Sequence, residues 1–167
     1  MTNPTDSLTA CIEDYCRAVA DGRLPRAYRG ILAALTLFQS AWKTSHPADT
    51  VGALYQGYMD MSFVAFAPAA LAEKRLKISL VFLHDSGTFS LWLAAGNRDI
   101  QKRVSEALQP LPLGKYSLST LVPGVDAIIA YDLTTPYTFD DPQALNAALV
   151  AASDAFTRDM ISLTASI

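Results

Sequence analysis

Apolar residues recur at helical spacing at both ends of the chain. In the N-terminal quarter, a stripe at intervals of three and four residues predicts a first helix, which starts at Asn3–Pro4 and ends at Gly22. A second helix is predicted from Pro25 to His46, where the following proline stops it. The short joint between the two helices indicates an αα-hairpin. The stripe of the first helix consists of Leu8, Ile12, Tyr15 and Val19.

In the middle of the chain, the character of the side chains alternates with the two-residue period of β-strands. In the first predicted strand, the odd-numbered residues from Met59 to Ala65 are wholly apolar, so we expect this face to meet the core. A turn at Asp85–Gly87 joins the second and third strands as a hairpin. The segment 49–56 is interpreted as a loop leading into the first strand. The predicted strands are 58–66, 76–84, 88–95, 116–121 and 127–133.

Three further helices complete the predicted order ααβ(α)ββαββα. A short connecting helix spans 68–74, a third main helix begins after its cap Asn97, and a long C-terminal helix begins at Asp140 or Asp141 ahead of Pro142. This order predicts an α+β fold with a mainly antiparallel sheet of about five strands and helices on one face. No linker rich in glycine or serine divides residues 1–167, so we expect a single domain.

The amino-acid composition indicates that part of the protein's apolar surface is covered by another subunit. The chain has 167 residues, of which 51% are apolar and only 17% charged, against about 25% charged in an average domain. We therefore expect a homodimer that covers apolar surface. The net charge of −3 argues against nucleic acid as a partner. The longest apolar run, 63–72, is too short to span a membrane, so no membrane partner is expected.

Cysteine and histidine usage restricts the available chemistry. Cys11 and Cys16 point about 140° apart around a helix, so they do not bridge each other and are expected to be free thiols of a cytoplasmic protein. His46 and His84 are the only histidines, which excludes a multi-histidine metal site within one subunit. No dinucleotide or phosphate-binding motif is present, and no cofactor is expected.

Several segments resemble a bacterial family that is classed as a domain of unknown function. The resemblance is carried by the string Tyr-Gln-Gly-Tyr-Met-Asp-Met at 55–61, by Leu-Lys-Ile at 76–78 continuing to 81–84, and by Trp-Leu-Ala at 92–94. Tyr28-Arg-Gly in the second helix and the segment from Tyr116 are also similar. The resemblance implies a cytosolic domain and no particular activity.

Asp60 is the residue on which the functional hypotheses depend. A carboxylate in a covered strand must find hydrogen-bond donors or take a raised pKa, and raised carboxylates are candidate general acids or bases. On an open edge, Asp60 is instead a structural acceptor of backbone hydrogen bonds. We expect a pocket between the sheet and the αα-hairpin, with polar-tipped aromatic walls. The candidate ligand-binding residues are Tyr28, Tyr55, Tyr58, Asp60, His84 and Trp92.

Three functions are compatible with these residues. The first is a binding module whose pocket holds a small polar-aromatic molecule or a side chain of a partner. The second is a small hydrolase or other acid–base enzyme in which Asp60 acts as general acid or base and His84 is a second proton carrier. The third is a homo-oligomeric structural protein without a ligand.

Overall fold

A computed structural model describes residues 7–134 and 137–167. Five helices and five strands are present in these residues. Their bounds are α1 Leu8–Ala20, α2 Arg23–Ser45, β1 Thr50–Val51, β2 Met61–Ala67, α3 Ala69–Ala72, β3 Leu76–Leu83, β4 Thr88–Ala95, α4 Arg98–Leu108, β5 Ala127–Asp132 and α5 Pro142–Thr164.

The five strands form one antiparallel sheet in the order β1-β2-β3-β4-β5, so each strand pairs with the next along the chain. This order follows from short connections, since antiparallel neighbours need only a turn between them. Gly87 takes φ +68° in the β3–β4 turn, a conformation that residues with a Cβ rarely adopt. The predicted α+β fold with a mainly antiparallel sheet and a long C-terminal helix is confirmed.

The core lies between one face of the sheet and the helices. On this face Val64, Leu80 and Leu91 pair across β2, β3 and β4, and all three are fully buried. Buried side chains of the helices join the same cluster, so the helices cover this face. They include Leu35, Phe38 and Trp42 of α2, Ile100, Val104 and Leu108 of α4, and Leu149, Phe156 and Met160 of α5.

The predicted core face of the first strand is wrong. The even-numbered residues Ser62, Val64 and Phe66 are buried under the helices, whereas Phe63 and its odd-numbered neighbours are half-buried on the open face. Tyr58 and Asp60 make the even face look solvated in the sequence, but residues 58–60 form a bend ahead of the strand and are not part of it. Ser62 is buried because its hydroxyl is hydrogen-bonded, as described below.

Two other expectations need correction. Residues 50–51 form β1, although the sequence pattern indicates a loop over 49–56. Residues 116–121 make only the isolated bridge Leu118–Ile129 instead of a strand, since the Tyr116 hydroxyl turns toward α5 and donates to Asp159 at 2.5 Å. The predicted helix start at Asn3–Pro4 lies outside the described residues, and Ser7 caps α1.

The C-terminal end of α2 is fixed to its surroundings by a histidine and a tryptophan. The buried Trp42 donates from Nε1 to Asp49 at 3.0 Å. The His46 ring stacks on Trp42 at a centroid distance of 4.0 Å, and its Nε2 lies 2.9 Å from Asp154 of α5. These contacts anchor the C-terminal end of α2 to the following loop and to α5, at the opposite end of the helix from Tyr28.

We predict that the two faces of β2 respond differently to the same substitution. Phe66→Ala should lower the free energy of unfolding by about 3–5 kcal/mol, because Phe66 is buried between Phe38 and Trp42. Phe63→Ala on the open face is the matched control and should cost less than half as much. Urea unfolding measures both values, and an equal or larger loss for Phe63→Ala contradicts the assignment of the faces.

Candidate functional site

The backbone carbonyl of Gln56 accepts hydrogen bonds from side chains of two different elements. The Tyr28 hydroxyl of α2 donates to it at 3.2 Å, and the Ser62 hydroxyl of β2 donates at 2.5 Å. Ser62 Oγ also lies 2.9 Å from Nε2 of His84, which follows β3. One carbonyl thus connects the αα-hairpin, the segment before β2 and the end of β3.

The hydrogen bonds of Ser62 identify which ring nitrogen of His84 carries a hydrogen. A hydroxyl has one proton, and Ser62 uses it toward the Gln56 carbonyl, which only accepts. Ser62 therefore accepts from His84, so Nε2 of that ring carries a hydrogen. When the ring is neutral, its Nδ1 is consequently an unprotonated hydrogen-bond acceptor.

The segment between Gln56 and β2 turns through two positive-φ residues. Gly57 has φ +75°, and a Cβ at this position would lie 1.8 Å from the carbonyl oxygen of Met61. Only glycine fits this close approach of two backbone segments. Met59 has φ +67°, an uncommon conformation for a residue with a long side chain. This backbone projects Tyr58 and Met59 outward, where 89% and 61% of their surfaces are exposed.

Asp60 ends this turn and is exposed to solvent. Its Oδ1 accepts from the Tyr58 amide at 2.9 Å, and its carbonyl accepts from the His84 amide at 3.0 Å. The backbone amides of Tyr58 and Met61 lower the pKa of the carboxyl group, since they favour its ionised form. The idea of a covered carboxylate with a raised pKa is therefore wrong, and Asp60 is a structural acceptor in a turn.

A cleft of about 720 Å³ opens between α1, the start of α2 and the Gly57–Met59 turn. Its inner wall is half-buried and consists of Pro25, Tyr28, Gly57 and His84. Its outer wall is exposed and consists of Tyr15, Val19, Leu24, Tyr58 and Met59. The rings of Tyr28 and His84 lie 5.8 Å apart at the inner wall. The lining is apolar apart from three phenol groups and one imidazole.

The structure brings together three of the six candidate residues. Tyr28, Tyr58 and His84 line the cleft, and Asp60 lies beside it in the turn. Tyr55 and Trp92 belong to the open face of the sheet, so the sheet separates them from Tyr28. Tyr55 packs on Phe63 at a centroid distance of 4.8 Å, and Trp92 Nε1 donates to Ser90 at 3.0 Å. The expected pocket with all of these residues is not formed.

Comparison with known proteins gives a family but no activity. A protein-family model described as a domain of unknown function (DUF7000) matches residues 8–164. The chain belongs to this family. The match extends from α1 to α5 and therefore includes every residue of the cleft. No curated protein and no solved structure matches the chain.

Sequence reasoning missed Ser62 and the Gln56 carbonyl, which position His84. A backbone carbonyl carries no side-chain signal, and Ser62 has the pattern of an ordinary polar residue of a strand. Gly57 offers a usable signal, because glycine is the residue found where φ is positive or where two backbone segments approach closely. The apolar stripe of α1 has the pattern of a buried face, yet none of its residues is buried.

Neither a metal-binding cluster nor a membrane-spanning helix is found in the described residues. Across 7–134 and 137–167, no three side chains of His, Cys, Asp or Glu lie close enough together to hold a metal ion. No helix in the same residues has the length and hydropathy needed to cross a bilayer. Both cysteines are free and exposed.

We predict that Gly57→Ala destabilises the protein strongly. The new Cβ would collide with the Met61 carbonyl and force a positive φ on alanine, which should cost roughly 3 kcal/mol or more. Gly30→Ala is the matched control in α2, where a Cβ meets nothing within 4 Å. It should stabilise by about 0.5–1 kcal/mol. Thermal and urea unfolding check both, and similar effects of the two substitutions contradict the described turn.

We predict that Asp60 makes stability depend on pH in the acidic range. Its pKa is lowered by folding, so its stabilising contribution is complete above the unfolded value of about 3.9 and is lost as the pH falls through the lower folded value. Asp60→Asn keeps an acceptor oxygen but does not titrate. The stability difference between wild type and Asp60→Asn should be constant from pH 7 to pH 5 and shrink below about pH 4. A difference that grows on acidification is the contrary result.

Proposed function

We propose that this protein is a binding module and that the cleft holds a group with an apolar body and one N–H or O–H donor. A small polar-aromatic molecule or a side chain of a partner has this chemistry. The observation that carries the proposal is the position of His84 at the inner wall of an apolar cleft, with Nε2 held by Ser62. Across residues 7–134 and 137–167 no side-chain hydrogen bond to Nδ1 is present, and we propose that the ligand's donor binds there.

The exposed turn supports a binding role. Tyr58 and Met59 show most of their surface to solvent, and an exposed aromatic beside an exposed thioether is costly unless something covers both. The positive φ of Met59 adds local strain, which folded proteins retain mainly at sites of function.

The enzyme hypothesis is weaker, although a serine lies beside a histidine. Ser62 is fully buried, and its proton points to the Gln56 carbonyl, so His84 is not placed to activate it as a nucleophile. Asp60 has a lowered pKa, which is the wrong direction for a proton donor near neutral pH. Among the nine residues that line the cleft, His84 is the one nitrogen base, and an unprotonated ring nitrogen fits recognition of a donor group.

The homodimer also belongs to the proposal, together with a bacterial origin and a cytoplasmic location. The low share of charged residues supports a covered surface, and the two free thiols are compatible with a reducing compartment. Tyr55 and Trp92 have no part in this site.

Indole and 1-benzothiophene test the proposal, because they share size and shape but only indole has an N–H donor. We predict that both shift the backbone amide resonances of Gly57, Tyr58 and His84 in ¹⁵N spectra. Indole should bind about two- to tenfold more tightly, as one additional hydrogen bond contributes about 0.5–1.5 kcal/mol. His84→Phe should remove this preference while keeping both ligands bound.

Tyr55→Ala is the matched control, because it truncates an exposed tyrosine on the open face of the sheet. It should leave both affinities unchanged. Resonance shifts around Tyr55 and Trp92 in place of the cleft, or equal affinities of wild type for the two compounds, overturn the proposed recognition.

A further inference from the structure

We infer that α1 is a dimerisation helix that packs antiparallel against α1 of a second copy of this chain. The first observation is that none of the 13 residues of α1 is buried. Leu8 is 75% exposed, and Ile12 and Tyr15 are each 52% exposed. An isolated helix of this length is marginally stable in water, so we expect another surface to pack against its apolar stripe and stabilise it.

The spacing of the stripe fits a second copy. Leu8, Ile12, Tyr15 and Val19 follow at intervals of four, three and four residues, which is the spacing of a coiled-coil seam. The order four-three-four is the same in both directions. In an antiparallel pair, Leu8 therefore meets the partner's Val19, and Ile12 meets the partner's Tyr15. This self-complementarity is what a two-fold interface requires.

The charge pattern of α1 favours the same partner. The residues beside the seam are small and uncharged, so two identical helices can approach without like-charge repulsion. These residues are Thr9, Cys11, Cys16 and Ala18. Glu13, Asp14 and Arg17 lie on the far side of the helix. A polar side with two acids and one base is unsuited to an anionic membrane surface, where amphipathic helices carry lysine and arginine.

The exposed area matches the size of a stable dimer interface. Seven of the eleven exposed large apolar side chains in the described residues belong to α1 or to the outer wall of the cleft. Their exposed fractions amount to roughly four whole residues, or on the order of 600–800 Å² per copy at about 150–200 Å² for each large apolar residue. Stable interfaces bury about 800 Å² per partner, whereas the largest patch of a monomer is usually about 300–600 Å².

The antiparallel pairing of the two α1 helices places the dimer interface beside the cleft. This part of the inference rests on the proposed function of the cleft. Tyr15 and Val19 belong both to the seam and to the outer wall, so the partner's α1 lies over the cleft mouth beside Tyr58 and Met59. The inner wall with Tyr28 and His84 stays available to a ligand. The second copy therefore closes part of the cleft mouth, which is open in a single chain.

Sedimentation equilibrium of the full chain tests the interface. Wild type should be dimeric at micromolar concentration, and Ile12→Arg should be monomeric because it places two buried charges in the seam. Glu13→Arg is the matched control: it changes the net charge more, but on the far side of α1, and should remain dimeric. Circular dichroism checks that each variant is folded. A monomeric wild type, including one that floats with phosphatidylcholine–phosphatidylglycerol vesicles, overturns the inference.

A mixing experiment tests the register. Ile12→Lys and Tyr15→Glu should each weaken the homodimer, whereas a mixture of the two should form a heterodimer, because the introduced lysine of one chain then faces the introduced glutamate of the other. Ile12→Lys mixed with Val19→Glu should not associate, since Val19 faces Leu8. Association of the second mixture instead of the first contradicts the antiparallel pairing. Indole titration of the monomeric Ile12→Arg variant tests the inner wall separately, so the ligand proposal and the dimer proposal can fail independently.

Discussion

A single backbone carbonyl holds the candidate site together. Gln56 accepts from Tyr28 and Ser62, and Ser62 in turn accepts from His84. Since Ser62 is fully buried, its hydroxyl finds its hydrogen-bond partners within the protein, and the Gln56 carbonyl takes its proton. The close approach of Gly57 to the Met61 carbonyl permits this arrangement. The positions of the cleft walls and the protonation of His84 follow from it.

The fold was largely predictable, because hydrophobic periodicity reports which residues are buried together. The predicted bounds of β3 and β4 and the predicted start of α5 are close to the observed ones, and Asn97 caps α4 by accepting a hydrogen bond from the Ile100 amide. The faces of β2 were not predictable in this way, since both faces are apolar and a bend supplies the misleading polar residues. The segment 116–121 differs from its prediction, since its backbone pairs with β5 at one bridge while the Tyr116 hydroxyl donates to Asp159 of α5.

The candidate site was only partly predictable, since Ser62 and the Gln56 carbonyl, which position His84, carry no sequence signal. Tyr28, Tyr58 and His84 stand out as unusual polar or aromatic residues, and they do meet in one cleft. Trp92 stands out on the same grounds but projects from the opposite face of the sheet, because a strand residue's side depends on register. The exposed stripe of α1 has the same pattern as a buried one, and periodicity does not distinguish a face covered by its own chain from a face left for another.

The tautomer of His84 provides the most direct test of this account. Nitrogen chemical shifts of the imidazole, recorded on the wild-type chain at a pH where the ring is neutral and assigned by comparison with His84→Phe, whose only remaining imidazole signals are those of His46, distinguish Nε2–H from Nδ1–H. The hydrogen-bond chain from Gln56 through Ser62 requires Nε2–H, with Nδ1 unprotonated. A predominant Nδ1–H form would mean that Ser62 donates to His84 instead of Gln56, and the cleft would then lack the acceptor on which the proposed recognition depends.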